Sequence, residues 1–132
     1  QQWEGTAADD CTSETSPYFV HHYSSKLVIL RQSKCITPEA PFIYLLLGPN
    51  RTLLFDTGDV KGPGLVDQVD KVVQEYSETY SSTKKKMPLI VAHSHNHSDH
   101  QAGDEAFLQA QAEDAMTCCT IEKFVHPDRE AV

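Results

Sequence analysis

Two apolar runs, Phe42-Ile43-Tyr44-Leu45-Leu46-Leu47 and Thr52-Leu53-Leu54-Phe55-Asp56, flank the turn-forming stretch Gly48-Pro49-Asn50-Arg51. Such runs around a Gly/Pro/Asn turn predict a β-hairpin. Both arms are nearly continuous in apolar residues, so both faces of their sheet require cover. From Leu65 the period changes. Leu65, Val66, Val69, Val72, Val73 and Tyr76 fall on one helical face, opposite Asp67, Gln68, Asp70, Lys71, Gln74 and Glu75. This predicts an amphipathic helix. Strands are predicted over Lys26–Arg31, Pro88–Ala92 and Thr120–Val125. Ala102, Ala106, Phe107 and Ala110 suggest a second helix, and Asp128–Val132 the start of a third. Strand, hairpin, helix, strand, helix, strand is a mixed α/β order. Ser77 to Lys86 reads as a polar connection, and the chain divides into a polar arm over residues 1–25 and a folded domain over 26–132.

A net charge of −8 argues against nucleic acid as an electrostatic partner, and Lys84-Lys85-Lys86 is a solvated run beside a strand. No stretch is long and apolar enough to span a membrane. The chain begins at Gln1, which suggests a processed product or a fragment. Cys11 and Cys35 lie apart, while Cys118 and Cys119 are adjacent, without zinc-finger spacing. A Cys11–Cys35 disulfide would tie down the arm and imply an oxidising compartment; free thiols are the alternative. Asn50-Arg51-Thr52 is a glycosylation sequon in the predicted turn and is compatible with secretion.

Four of the seven histidines fall within His93-Ser94-His95-Asn96-His97-Ser98-Asp99-His100. Imidazole with carboxylate is a ligand set for zinc and related divalent metals. The stretch follows a strand and precedes a helix, a common location for ligand sites in α/β proteins. In extended backbone His95 and His97 point the same way and can converge on one ion. Ser98 and Gln101 fit a capping box, which would put Asp99 and His100 in the first helical turn, facing back toward the same pocket to supply a second ion. His93-x-His95-x-His97 is a competing register that puts Asp99 and His100 out of step, so His93 is read as a flanking residue.

His95-x-His97-x-Asp99-His100 resembles the HxHxDH signature of the metallo-β-lactamase superfamily. Ser94 stands where that family has threonine or serine. Leu54-Phe55-Asp56-Thr57-Gly58 resembles its upstream "LiDtG" strand end, and Gln101-Ala102-Gly103 the residues after its DH. The resemblance implies the N-terminal half of an αββα sandwich, a mixed sheet with helices on one face. It also implies a metal-dependent hydrolase that uses a metal-bound hydroxide, with zinc as the expected metal and two ions in the complete site; other divalent metals suit the same donors. By the resemblance, His95 and His97 hold the first ion, and Asp99 and His100 the second. Asp99 also orients the nucleophile and handles its proton, and Asp56 hydrogen-bonds the metal loop. Flavodiiron-type relatives carry glutamate where His97 stands. His100 matches glyoxalase II, RNase-Z-like nucleases and the third β-lactamase subclass. The substrate would be a small molecule such as a β-lactam, thioester or lactone, or a phosphodiester.

The family completes its site with further downstream ligands and covers its sheet with a second one. His126 is the only histidine after His100, and its spacing fits those ligands poorly. The expectation is therefore half a site, short of the downstream ligands of the family, and one bare sheet face, which an oligomer would have to bury. Two rival readings stand beside this one. Asp56-Thr57-Gly58 resembles the triplet of aspartic proteases, which would pair two Asp56 carboxylates in a dimer. Alternatively, the chain is a non-catalytic metal-binding module.

Overall fold

The computed structural model describes residues 11, 16–113 and 121–125. Six strands form one sheet in chain order: β1 (Tyr18–Ser24), β2 (Leu27–Gln32), β3 (Phe42–Leu47), β4 (Thr52–Phe55), β5 (Leu89–Ala92) and β6 (Ile121–Val125). The first four pair antiparallel; β4–β5 and β5–β6 are parallel. Helix α1 (Gly64–Tyr80) crosses over between β4 and β5, and α2 (Asp104–Glu113) follows β5. The expected α/β class with a mixed sheet is the one found.

Side-chain alternation along the strands decides which face is core. Val28, Leu30, Ile43, Leu45, Leu54, Leu89 and Val91 point to one face and are fully buried. The register sets Val28 against Leu45, Leu45 against Leu54 and Leu54 against Val91, so a continuous apolar stripe crosses four strands. Leu65, Val69 and Val73 of α1 and Phe107 of α2 close over this stripe. Both helices therefore cover the same face. On the other face, Tyr44 remains 39% exposed and Leu46 43%, next to the half-buried Leu53, Phe55 and Ile90. Among the described residues no element covers it.

Two boundaries depart from the sequence reading. Tyr18–Ser24, placed in the polar arm, is an edge strand paired with β2. Its hydrophobic signal is weak because only Tyr18 is buried and its outer half is exposed. The helix predicted to stop near Tyr76 runs on to Tyr80, within the stretch read as a connection. Ser77 makes that extension possible: it is buried one turn beyond Val73, and its Oγ accepts the Met87 N–H at 3.1 Å. Cys11 and Cys35 are joined in a disulfide. The predicted helix start at 128–132 lies outside the described residues.

Candidate metal centre

β4 and β5 are parallel neighbours, so both end on the same side of the sheet. The chain leaves β4 through Asp56-Thr57-Gly58 and leaves β5 through His93-Ser94-His95. The two exits are tied together, with Asp56 N–H donating to Ala92 O at 2.8 Å, Thr57 N–H to His100 O at 2.9 Å and Ala102 N–H to Gly58 O at 2.9 Å. Glycine is required at two points of this junction. Gly58 has φ +74°, and a Cβ there would lie 2.5 Å from the Gln32 side chain. A Cβ at Gly103 would lie 2.6 Å from Thr57 O.

His95, Asp99 and His100 converge, with one potential ligand atom from each lying within 4.8 Å of the others. The His95 and His100 ring centroids are 4.1 Å apart, and His100 Nε2 is 3.4 Å from Asp99 Oδ2. His97 is outside this group of three. Its exposed ring meets His95 edge-on with centroids 4.4 Å apart. In the structure His95 lies both with Asp99 and His100 and beside His97, between the two pairs that the resemblance implies. Ser98–His100 is a single 3-10 turn before α2, without a side-chain cap. The capping box does not form: Gln101 Nε2 donates instead to Asn96 Oδ1 at 2.8 Å and His95 O at 3.3 Å, bracing the loop. His126 lies outside the described residues.

Asp56 organises both clustered histidines. It is 4% exposed and adopts φ 72°, a left-handed conformation that aspartate tolerates better than most residues. Its Oδ1 accepts the Ser94 N–H at 2.7 Å; its Oδ2 accepts the Ser94 hydroxyl at 2.8 Å and faces His100 Nδ1 at 2.8 Å. An ionised carboxylate only accepts, so His100 Nδ1 carries a proton, and the neutral ring then has its lone pair on Nε2. The Ser94 proton is committed to Asp56, so Ser94 Oγ accepts from His95 Nδ1, 2.8 Å away. That leaves Nε2 of His95 free as well. One buried carboxylate thereby favours the Nδ1-protonated tautomer of both rings, one directly and one through Ser94. With both oxygens committed inside the chain, Asp56 is not presented for pairing with a second Asp56. It also lies in a mixed, helix-backed sheet, and the aspartic-protease reading is set aside on these two grounds.

His93 has a separate role. Its side chain is fully buried, and Nε2 donates to Asp104 Oδ1 at 2.7 Å. The same oxygen accepts the Thr57 hydroxyl at 2.6 Å. This pair joins the start of α2 to both strand exits. The sequence reading did not find Asp104, which is eleven residues from His93 and matches no local pattern. Gln32 was missed too. It is buried at the end of β2, its Oε1 accepts the Asp59 N–H at 2.7 Å, and its amide donates to the Tyr18 phenol at 3.5 Å. Burial raises the Tyr18 pKa above its ordinary value, and the Gln32 hydrogen bond partly offsets this.

A mixed sheet backed by helices on one face, with a His/Asp group at its parallel strand ends, defines an α/β fold with a candidate metal centre. No family model matches the chain, and neither does any curated protein. Solved structures that it is similar to include several metallo-β-lactamases. The FIM-1 enzyme of Pseudomonas aeruginosa, in its mono-zinc form, is 16% identical over 75% of this chain and 41% of its own, with a TM-score of 0.47. The enzyme of Hirschia baltica is 15% identical over 87% of this chain and 54% of its own, at 0.48. That of Pontibacter korlensis is 18% identical over 86% and 54%, also at 0.48. The chain spans about half the length of the solved structures it matches.

Proposed function

We propose that this chain carries the metal-binding half of a zinc-dependent hydrolase site, acting on a small-molecule substrate. The observation that carries the reading is the convergence of His95, Asp99 and His100, with Asp56 aligning both rings. Two imidazoles with Nε2 turned toward the group and one carboxylate are a donor set that suits zinc, and other divalent metals as well. His97, exposed and next to His95, supplies a further ligand by rotation of its side chain.

When bound, zinc acts as a Lewis acid that brings the pKa of water toward neutrality. The chain's own residues do the rest. In this reading Asp99 accepts the proton of the attacking water on a carboxylate oxygen and orients that water toward an acyl or phosphoryl centre. Asp56 and Ser94 keep the Nδ1 protons of both rings occupied. A β-lactam, thioester, lactone or phosphodiester suits this chemistry. The disulfide supports placement in an oxidising, extracytoplasmic compartment.

A second reading, a metal-binding module without turnover, is favoured by the bare sheet face and by a clustered ligand group of only three among the described residues. Calorimetric zinc titration, followed by hydrolysis assays on the four substrate classes with and without chelator, tests both. Zinc binding with chelator-sensitive hydrolysis supports the first; zinc binding without hydrolysis supports the second. Absence of zinc binding sinks both.

A further inference from the structure

The chain has two asparagines, Asn50 and Asn96, and each begins an Asn-x-Ser/Thr triplet: Asn50-Arg51-Thr52 and Asn96-His97-Ser98. We propose that Asn50, and not Asn96, is an N-glycosylation site, with the glycan carried at the end of the sheet remote from the metal centre.

Three observations support this. The first is the compartment: the Cys11–Cys35 disulfide belongs to an oxidising environment, where such transfer takes place. The second is position. Asn50 is exposed in the tight β3–β4 turn, closed by Gly48 N–H donating to Arg51 O at 3.0 Å. That turn precedes β4, whereas Asp56 follows it, so Asn50 and the metal group lie at opposite ends of the same strand. Asn50 borders a hollow of about 160 Å³ lined also by Ser82, Thr83 and Lys85, which leaves open space beside the first sugar. The third is the contrast with Asn96. It lies between His95 and His97, and its Oδ1 already accepts from Gln101. A glycan there would stand over the metal group. The hydroxyl residues differ as well, and threonine at the third position makes a better acceptor triplet than serine.

The transfer requires a lipid-pyrophosphate-linked oligosaccharide as donor. A bond forms between Asn50 Nδ2 and the anomeric carbon of the first sugar while the bond from that carbon to the pyrophosphate oxygen breaks. The lipid pyrophosphate leaves with the electron pair, and the amide nitrogen loses one proton.

The test is secretion of the whole chain from a eukaryotic host behind a cleavable signal peptide, in wild-type, Asn50→Gln and Asn96→Gln forms. Intact mass is measured before and after peptide-N-glycosidase treatment in heavy-oxygen water, and non-reducing peptide maps check the Cys11–Cys35 bridge. The expected result is a glycan mass lost from wild type and Asn96→Gln on treatment, heavy oxygen at position 50, and no mass change in Asn50→Gln. A bridged chain with bare Asn50, a glycan retained in Asn50→Gln, or an unbridged chain overturns the proposal. Asn50 is exposed in a turn, so its substitution leaves the core untouched, and the wild-type map reads the site without any variant.

Discussion

Replacing Asp56 by asparagine probes the device on which the proposed site depends. Asparagine keeps the size and tolerates the φ of 72°, so backbone strain is not introduced as it would be by alanine. What changes is the donor pattern. If the amide oxygen takes the place of Oδ1, the NH2 group donates toward Ser94 Oγ and His100 Nδ1. His100 must then accept at Nδ1 and carry its proton on Nε2. Ser94, now receiving a proton from below, turns its own toward His95 Nδ1, and that ring changes tautomer as well. If the amide is reversed, its NH2 group opposes the Ser94 N–H across 2.7 Å. Neither orientation reproduces the native network. A lost charge-assisted hydrogen bond at a buried group costs about 1.5–3 kcal/mol. Loss of a group orienting a ligand lowers metal affinity by roughly 10–100-fold, equivalent to about 1.4–2.8 kcal/mol. The expected outcome is a zinc affinity reduced by that factor in calorimetry, with a lower urea midpoint for the metal-free chain. Zinc affinity equal to wild type in a folded Asp56→Asn chain would refute the argument that this carboxylate sets the ring tautomers.

Four further outcomes follow from the structure. His95→Ala and Asp99→Ala each remove a member of the clustered group and lower zinc affinity more than His97→Ala does, as measured by the same titration; equal losses would place His97 on a par with them. Tyr18 is raised above the ordinary phenol value of 10.0, so its contribution to stability is present below that pH. It is lost as pH rises through the folded-state value, and Tyr18→Phe flattens the alkaline decline of the urea midpoint. Reducing the Cys11–Cys35 bridge, which spans 24 residues, lowers unfolding free energy by about 3.5 kcal/mol in denaturant titrations with and without reductant. Leu46→Lys, on the bare sheet face, suppresses the concentration-dependent self-association expected of that patch in sedimentation velocity, while shifting the monomer's stability by less than about 0.5 kcal/mol.

Elements whose stability comes from local repetition were legible in the sequence. The hairpin and β5 carry dense apolar runs and α1 a helical period, and the histidine-rich loop carries donor residues dense enough to identify. The helix boundary at Tyr80 was hidden because Ser77 looks polar until Met87 arrives to satisfy it. The edge strand β1 was hidden because half of it faces solvent.

The sequence by itself determined the α/β order and nominated Asp56, His95, His97, Asp99 and His100, since residue chemistry and short spacing suffice for that. Only the tertiary structure decided how they are arranged. It grouped His95 with Asp99 and His100, gave His93 to Asp104, and routed Asp56 to both rings. These partnerships span up to 44 residues and depend on two parallel strands ending side by side. Hydrogen bonds are specific to distance and direction, and a sequence states neither until the sheet brings the strand ends together.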